Sequence, residues 1–130
     1  MLAGIDIGST GVKVALYTEH GMRIGYSYRE YSIRYGNDGS AVISPGIWEK
    51  SIQECFEELK CQYDLKHIQA LGISSANAII LTDQEGTPVF PAIMQLDKRS
   101  ASMVAVIQGK WTQEQILNMT GNRIAAGYQW

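Results

Sequence analysis

The stretch DIGSTG, residues 6–11, decides the fold, because it lies between two segments with the character of β-strands. Residues 2–7 form a short apolar run that leads into it. Residues 12–17 (VKVALY) then alternate apolar with other side chains, which is the period of two typical of a half-buried strand. The sequence therefore predicts a β-hairpin whose turn is rich in glycine and hydroxyl groups.

This turn differs from the two commonest nucleotide-binding loops. No Lys-Ser or Lys-Thr pair follows its second glycine, as a Walker loop requires. Gly8 and Gly11 do not complete the dinucleotide fingerprint, and a strand rather than a helix follows them. Glycines nevertheless allow phosphate oxygens to approach the backbone, where amides and the hydroxyls of Ser9 and Thr10 can donate hydrogen bonds. The turn is a candidate phosphate-binding loop.

Two charged residues flank the turn. Asp6, at the end of the first strand, can hold Mg²⁺ through water, because this ion gives up its hydration shell reluctantly. Lys13 can add a point charge near the phosphates. A simpler interpretation stays open, in which the glycines only close a tight hairpin, Asp6 caps it and Lys13 is an outward-facing strand residue.

The next segments predict a meander followed by a helix. Residues 22–33 are aromatic and β-branched, which favours a third strand, antiparallel to the second. After a loop at residues 37–40, Ser44 is expected to cap a helix with Pro45 in its first turn. One apolar face recurs at helical spacing along that helix: Trp48, Ile52, Cys55, Phe56 and Leu59.

The second half of the chain alternates strand and helix signals, so the whole chain predicts an α/β layer arrangement. Asp97 precedes a helix that runs to Ile107, and a capping box of Thr112 with Gln115 begins another. The predicted elements are a strand at 68–74, an apolar run at 78–81, a turn at 83–86, a short strand or sheet edge at 92–94, and helices ending at 107 and spanning 113–119.

Composition limits the possible partners and the cellular context. The chain has 130 residues, 45% hydrophobic and 18% charged, which suits one domain, residues 1–130, with a real core. A net charge of −2 gives no basic field for nucleic acid. Apolar runs are too short to span a bilayer, and Asp6 interrupts any signal peptide, so we expect a soluble cytoplasmic protein without membrane partners. Cys55 and Cys61 are expected to be a core residue and a free thiol.

Residues 4–13 (GIDIGSTGVK) resemble the first phosphate motif of the actin-like ATPases, which include actin, heat-shock ATPases, hexokinases and FGGY carbohydrate kinases. The order of the later segments at 44–48, 68–74, 83–93 and 97–99 resembles the FGGY kinases, xylulose and gluconate kinases among them. This resemblance implies the N-terminal part of a ribonuclease-H-like domain, with a mixed sheet, an antiparallel meander and flanking helices.

The resemblance also implies ATP and Mg²⁺ as cofactors and transfer of the γ-phosphate to a hydroxyl of a sugar, polyol or sugar acid. Phosphate contacts would come from Gly8, Ser9, Thr10 and Lys13, with Asp6 organising the metal through water. The sugar side would be lined by Ser75, Asn77, Asp97 and Arg99.

Two departures leave the sugar unspecified. Xylulose kinases carry a Gln-Met-His segment after the strand that ends near Ser74, whereas this chain has residues 75–77 there, with one residue fewer. Gln95 replaces the aromatic residue that commonly introduces the family's Asp-x-Arg segment. Asn77 is equally a turn residue, and Asp97 is equally a plain helix cap.

The family's members are several times longer than this chain, and their catalytic base lies beyond the matching part. We therefore expect no catalytic base in this chain, no turnover by the isolated chain, and self-association through the surface left by the missing half. Two other interpretations remain: a non-catalytic sugar- or nucleotide-binding or interaction module, and an actin-like activator ATPase. The second would need cysteines placed for an iron–sulfur cluster, which Cys55 and Cys61 are not.

Overall fold

A computed structural model describes residues 1–127; residues 128–130, part of the predicted domain, lie outside the described residues. The chain divides into two compact units. The first contains Met1–Ile33 and Ser44–Ala76, and the second contains Arg34–Ile43 and the chain from Asn77 onward.

The first unit is built on a mixed four-stranded sheet. β1 (Leu2–Ile7), β2 (Gly11–Tyr17) and β3 (Arg23–Glu30) form the predicted antiparallel meander, and β6 (Ala70–Ser75) runs parallel to β1. The strand order is β3-β2-β1-β6. The prediction of a third strand over 22–33 was too long. β2 begins at Gly11, which pairs with Glu30, so the chain after Glu30 has no β2 residue opposite it.

One helix, α1 (Gly46–Lys60), covers the β2 and β3 side of this sheet. Val12, Val14 and Leu16 are fully buried, and the helix contributes Cys55 and Leu59 to the same core. This confirms the interpretation of Cys55 as a core residue. Of the predicted apolar face, Cys55 and Leu59 are buried, and Trp48, Ile52 and Phe56 are half-buried. Cys61 is free and exposed, as expected.

The expected side-chain cap at Ser44 is wrong. The N-cap is Pro45, whose φ of −56° and ψ of −35° are already helical, and no side chain of the described residues caps the helix. The Ser44 carbonyl instead accepts the Ile47 N–H at 3.1 Å, so the chain enters the helix through a tight first turn. A side-chain cap needs extended backbone at the capping position, whereas the backbone of Pro45 is already helical.

Gly25 in β3 lets α1 and the chain after it lie close to the sheet. A Cβ atom on Gly25 would lie 2.9 Å from the Tyr63 ring and 3.2 Å from the Leu59 side chain. The Tyr63 hydroxyl also donates to the Ile24 carbonyl, which fixes the ring at this place.

The second unit has its own antiparallel sheet. Its strands are β4 (Arg34–Tyr35), β5 (Ala41–Ile43), β7 (Ala78–Ile79) and β8 (Ala92–Met94), in the order β4-β5-β8-β7. β8, predicted as a short strand or edge, lies inside this sheet between β5 and β7. β5 is completely buried and was not predicted, because the turn signals before it indicated only a loop.

Two helices complete the second unit. α2 (Ala101–Gln108) begins after Ser100, and α3 (Gln113–Thr120) carries the predicted capping box of Thr112 and Gln115. α3 ends at Gly121, whose φ of 73° is the left-handed conformation that glycine accepts easily. Among residues 1–127, no helix has the length and apolar character needed to cross a bilayer.

Candidate phosphate-binding turn

The turn between β1 and β2 is closed by one backbone hydrogen bond, from the Gly8 N–H to the Gly11 carbonyl at 2.9 Å. Ser9 and Thr10, at its tip, are exposed. Within residues 1–127, the amides of Ser9 and Thr10 donate no hydrogen bond to the protein. Two backbone donors and two hydroxyls are therefore available to an anion at the tip of the turn.

Two carbonyls of the same turn, those of Gly8 and Thr10, are bonded to tyrosines of the protein. The Thr10 carbonyl accepts the Tyr31 N–H at 3.0 Å and, more weakly, the Tyr28 hydroxyl at 3.4 Å. The Gly8 carbonyl accepts the Tyr31 hydroxyl. These two carbonyls therefore face the protein, and the N–H groups of Ser9 and Thr10 are left for a ligand.

Tyr31 is itself held in the core of this unit, with 6% of its surface exposed. Burial raises the pKa of its phenol, while the indole N–H of Trp48 beside it works in the opposite direction. The Trp48 Nε1 atom is buried and, among the described residues, has no acceptor in hydrogen-bonding geometry. The first helical turn of α1 therefore places the Trp48 indole N–H beside Tyr31, the residue that holds the β1–β2 turn.

Asp6 and Lys13 lie directly opposite each other on β1 and β2. The Lys13 Nζ atom is 3.0 Å from an Asp6 carboxylate oxygen, and each side chain is 49% exposed. The hydrogen bond to Asp6 and its negative charge raise the pKa of the Lys13 ammonium. Lys13 thus faces outward, as the simpler interpretation states, and lies on the same side of the sheet as Asp6.

This ion pair forms one end of a surface groove of about 560 Å³. Gly4 and Gly72 line the groove, as does Tyr26. The Arg23 guanidinium lies over the Tyr26 ring, 5.3 Å from the centre of the ring. No cluster of three metal-ligating side chains occurs in the part of the chain that the structure describes. Asp6 is half exposed and paired with Lys13, which suits a cation held through water better than one held by a protein cage.

The end of β6 reaches the same edge of the sheet as the turn. Its register places Ser74 beside Asp6 and Ser75 beside Ile7, and the Ala76 N–H donates to the Ile7 carbonyl at 2.8 Å. Parallel strands end at the same edge, so Ser75 comes next to the end of β1 although it is distant in sequence.

In the second unit, Asp97 is 5% exposed and both of its carboxylate oxygens are engaged. It accepts the Ala41 N–H at 2.9 Å, the Arg99 N–H at 3.0 Å and the Arg99 guanidinium at 2.7 Å. The hydrogen bonds from Arg99 lower the pKa of Asp97 to about 2, against the opposing effect of burial. The alternative of Asp97 as a helix cap is wrong, because Ser100 precedes α2.

The predicted residues thus divide between the two units. The first unit brings together Asp6, Gly8, Ser9, Thr10, Lys13 and Ser75 around one turn, and the second unit contains Asn77, Asp97 and Arg99. Tyr28, Tyr31 and Trp48 were not predicted as functional residues from the sequence. No spacing pattern could have identified them, because their role depends on contacts between distant parts of the chain.

Comparison with known proteins places these features in a family context. Residues 1–130 match the sequence model of the N-terminal domain of the FGGY family of carbohydrate kinases. The chain is 25% identical over 126 residues to a xylulose kinase from Staphylococcus xylosus, covering 96% of this chain and 26% of that protein. It is 34% identical over 103 residues to a glycerol kinase from Aquifex aeolicus (strain VF5), covering 77% of this chain and 21% of that protein.

A solved structure has the same fold as this chain. The crystal structure of a xyloylose kinase from Brucella ovis superposes with a TM-score of 0.88 at 25% identity, covering 98% of this chain and 27% of that one. The chain spans about a quarter of the length of the relatives that it matches.

Proposed function

Because the chain belongs to the FGGY family of carbohydrate kinases, as an N-terminal domain, we propose that it supplies the phosphate-holding turn of an ATP-dependent kinase. The acceptor is a hydroxyl of a sugar, polyol or sugar acid. The observation that supports this proposal is the β1–β2 turn, whose Gly8 and Thr10 carbonyls are bonded to Tyr31 while the Ser9 and Thr10 amides remain available.

The turn's residues have separate roles in this proposal. The Ser9 and Thr10 amides and hydroxyls donate to phosphate oxygens, and Gly8 allows the phosphate to approach the backbone. Lys13 adds positive charge beside them. Phosphoryl transfer depends mainly on positioning and charge stabilisation, which is what fixed donors on a rigid hairpin provide.

Asp6 suits a Mg²⁺ ion that is bound through water, since it is one exposed carboxylate next to the turn. Asp6 would hold such an ion, which would supply positive charge to neutralise the phosphates. Asp6 would orient the ion's water ligands, and Lys13 would exchange its contact with Asp6 for one with phosphate.

On the sugar side, we assign Ser75, Asn77 and Arg99 to contacts with substrate hydroxyls. Asp97 was also predicted there, but its oxygens already bond Ala41 and Arg99. We therefore assign Asp97 to the orientation of Arg99, whose side chain is 34% exposed and carries further donors.

Titration of the ¹⁵N-labelled chain with ATP and Mg²⁺ tests the nucleotide part. We expect weak binding, with the largest amide shifts between residues 8 and 13. Thr10→Ala should weaken binding roughly threefold to tenfold, the value of one hydrogen bond to a charged group. Thr18→Ala is the matched control, because Thr18 is also a hairpin-turn hydroxyl, bonded to the Met22 N–H, in the β2–β3 turn. Shifts confined to other regions at saturation would contradict the proposal.

A chimera tests the kinase part. The chain replaces the segment that it matches in the Escherichia coli (strain K12) xylulose kinase, with which it aligns over 129 residues. We expect ATP-dependent phosphorylation of a ketose or polyol, abolished by Asp6→Asn, and no sugar-dependent ATP consumption by the isolated chain. A folded chimera that binds ATP but phosphorylates no ketose, polyol or sugar acid would overturn the assignment.

A further inference from the structure

We propose that Tyr31, supported by Trp48, is a positioning residue that keeps the β1–β2 turn in its anion-binding form. The inference deepens the proposed function and rests on it. Three observations carry it: one residue bonds two carbonyls of the turn, an indole N–H beside it is buried without an acceptor, and the Ser9 amide donates to nothing within residues 1–127.

The peptide plane connects the first observation to the third. The Gly8 carbonyl and the Ser9 N–H belong to one planar trans peptide and point in opposite directions. When the Tyr31 hydroxyl holds the Gly8 carbonyl toward the core, it also turns the Ser9 N–H outward. The Tyr31 N–H fixes the other side of the turn through the Thr10 carbonyl at 3.0 Å. One residue therefore fixes both sides of the ligand-facing tip.

The Trp48 indole has a natural partner in the Tyr31 hydroxyl. A buried N–H without an acceptor is rare in proteins and requires an explanation. The hydroxyl donates its proton to Gly8 and keeps lone pairs that can accept from the indole. A small rotation completes the relay from Trp48 through Tyr31 to the Gly8 carbonyl.

Ligand binding should tighten this relay. An anion on the Ser9 N–H polarises the peptide and makes the Gly8 carbonyl a stronger acceptor. The Tyr31 hydroxyl then donates more strongly, and its oxygen becomes a better acceptor for the Trp48 N–H, because bonds in a chain strengthen one another. The expected signature is a downfield shift of the Trp48 indole proton when the turn binds phosphate.

The test uses the ¹⁵N-labelled chain, with ATP and Mg²⁺ as the probe. The Trp48 indole signal is assigned by its loss in Trp48→Phe. We expect Tyr31→Phe to weaken binding roughly threefold to tenfold and to abolish the ligand-induced shift of the Trp48 indole. The matched control is Tyr63→Phe, because Tyr63 is a part-buried tyrosine of the same unit whose hydroxyl donates to the Ile24 carbonyl instead. It should leave the affinity unchanged.

A measurement without ligand separates this inference from the proposed function. In ligand-free Tyr31→Phe, the Ser9 amide signal should move and exchange with water at a changed rate, whereas in Tyr63→Phe it should not. An unchanged Ser9 amide, or equal losses of affinity in both variants, overturns the inference. Failure of the wild-type chain to bind ATP overturns the proposed function, and the Ser9 measurement still decides the inference. Should Tyr31→Phe fail to fold, Trp48→Phe must weaken binding in the same direction, or the inference is wrong.

Discussion

The carboxylates of Asp6 and Asp97 differ in what they can bind. Asp6 is half exposed and pairs with one lysine, so it can exchange that partner for water or an ion. Asp97 is buried and bonded through both oxygens, so it has no capacity left for a ligand. Both residues were predicted as site residues from sequence motifs. Only their surroundings distinguish Asp6, which can bind a ligand, from Asp97, which orients its neighbour Arg99.

Asp97→Asn should lower the free energy of unfolding by roughly 1–2 kcal/mol at neutral pH, because the charge partner of Arg99 is lost. The pKa of Asp97 is lowered from 3.8 to about 2, so its contribution is complete above pH 4 and disappears as the pH falls through about 2. Urea unfolding at pH 7 and at low pH measures this. The difference between wild type and variant should shrink in acid.

Asp83→Asn is the control for this experiment. Asp83 is an exposed acid of the same unit that, within residues 1–127, accepts only backbone N–H groups, from Glu85 and Thr87. Its replacement should lower the free energy of unfolding less at pH 7, because no charged partner is lost. Equal losses for the two variants at pH 7 would show that the Asp97–Arg99 pair contributes no charge-dependent stability.

At the scale of elements, the spacing between α1 and the sheet depends on Gly25, because glycine has no side chain at this contact. Gly25 faces Tyr63, Leu59 and Leu16, all within 3.3 Å of the position that a Cβ atom would take. Around Gly72, in β6 of the same sheet, no atom of residues 1–127 lies within 4 Å of the position that a Cβ atom would take. The two glycines therefore make opposite predictions.

Gly25→Ala should destabilise the chain by roughly 1–3 kcal/mol, as overpacked core positions do. The Tyr63 ring cannot move away freely, because its hydroxyl is bonded to the Ile24 carbonyl. Gly72→Ala should cause no loss, since alanine suits a strand better than glycine. Denaturant midpoints of the two variants check this, and a larger loss at Gly72 than at Gly25 would refute the packing argument.

Elements with a local signal were predictable from the sequence. The period-two pattern indicated β2, and Thr112 with Gln115 indicated the start of α3. β5 was missed, because only three buried residues follow the turn at 37–40 and their partner β8 lies far along the chain. The bond from Tyr31 to Gly8 was unpredictable for the same reason, since periodicity describes neighbours in sequence rather than neighbours in space.

At the scale of the molecule, β6 is the edge of the first unit's sheet as far as the structure describes it. Its residues Leu71 and Ile73 are 48% and 65% exposed, on the face where β1 buries Ala3 and Ile5. An open strand edge with apolar side chains is a template for association with another chain. We propose that a second copy of the chain pairs there.

Ile73→Lys should reduce this association, because a lysine on an edge strand opposes pairing. Sedimentation velocity at low and high concentration measures it, with a smaller shift toward dimer in the variant. Met22→Lys is the control, since Met22 is 64% exposed but lies in the β2–β3 turn. Equal association of both variants, or a wild-type chain that is monomeric throughout, would exclude β6 as the interface.

The parallel pairing of β1 with β6 also sets an order of folding. β1, β2 and β3 pair through short turns, whereas Leu2 must meet Ala70 across most of the unit, and the chain passes through the second unit on the way. Contacts of low sequence separation form fastest, so the meander should be complete before β6 arrives. On a ribosome, residues 1–31 already contain the turn and the tyrosine that holds it. The anion-binding hairpin should therefore form first, and Ser75 should reach it last.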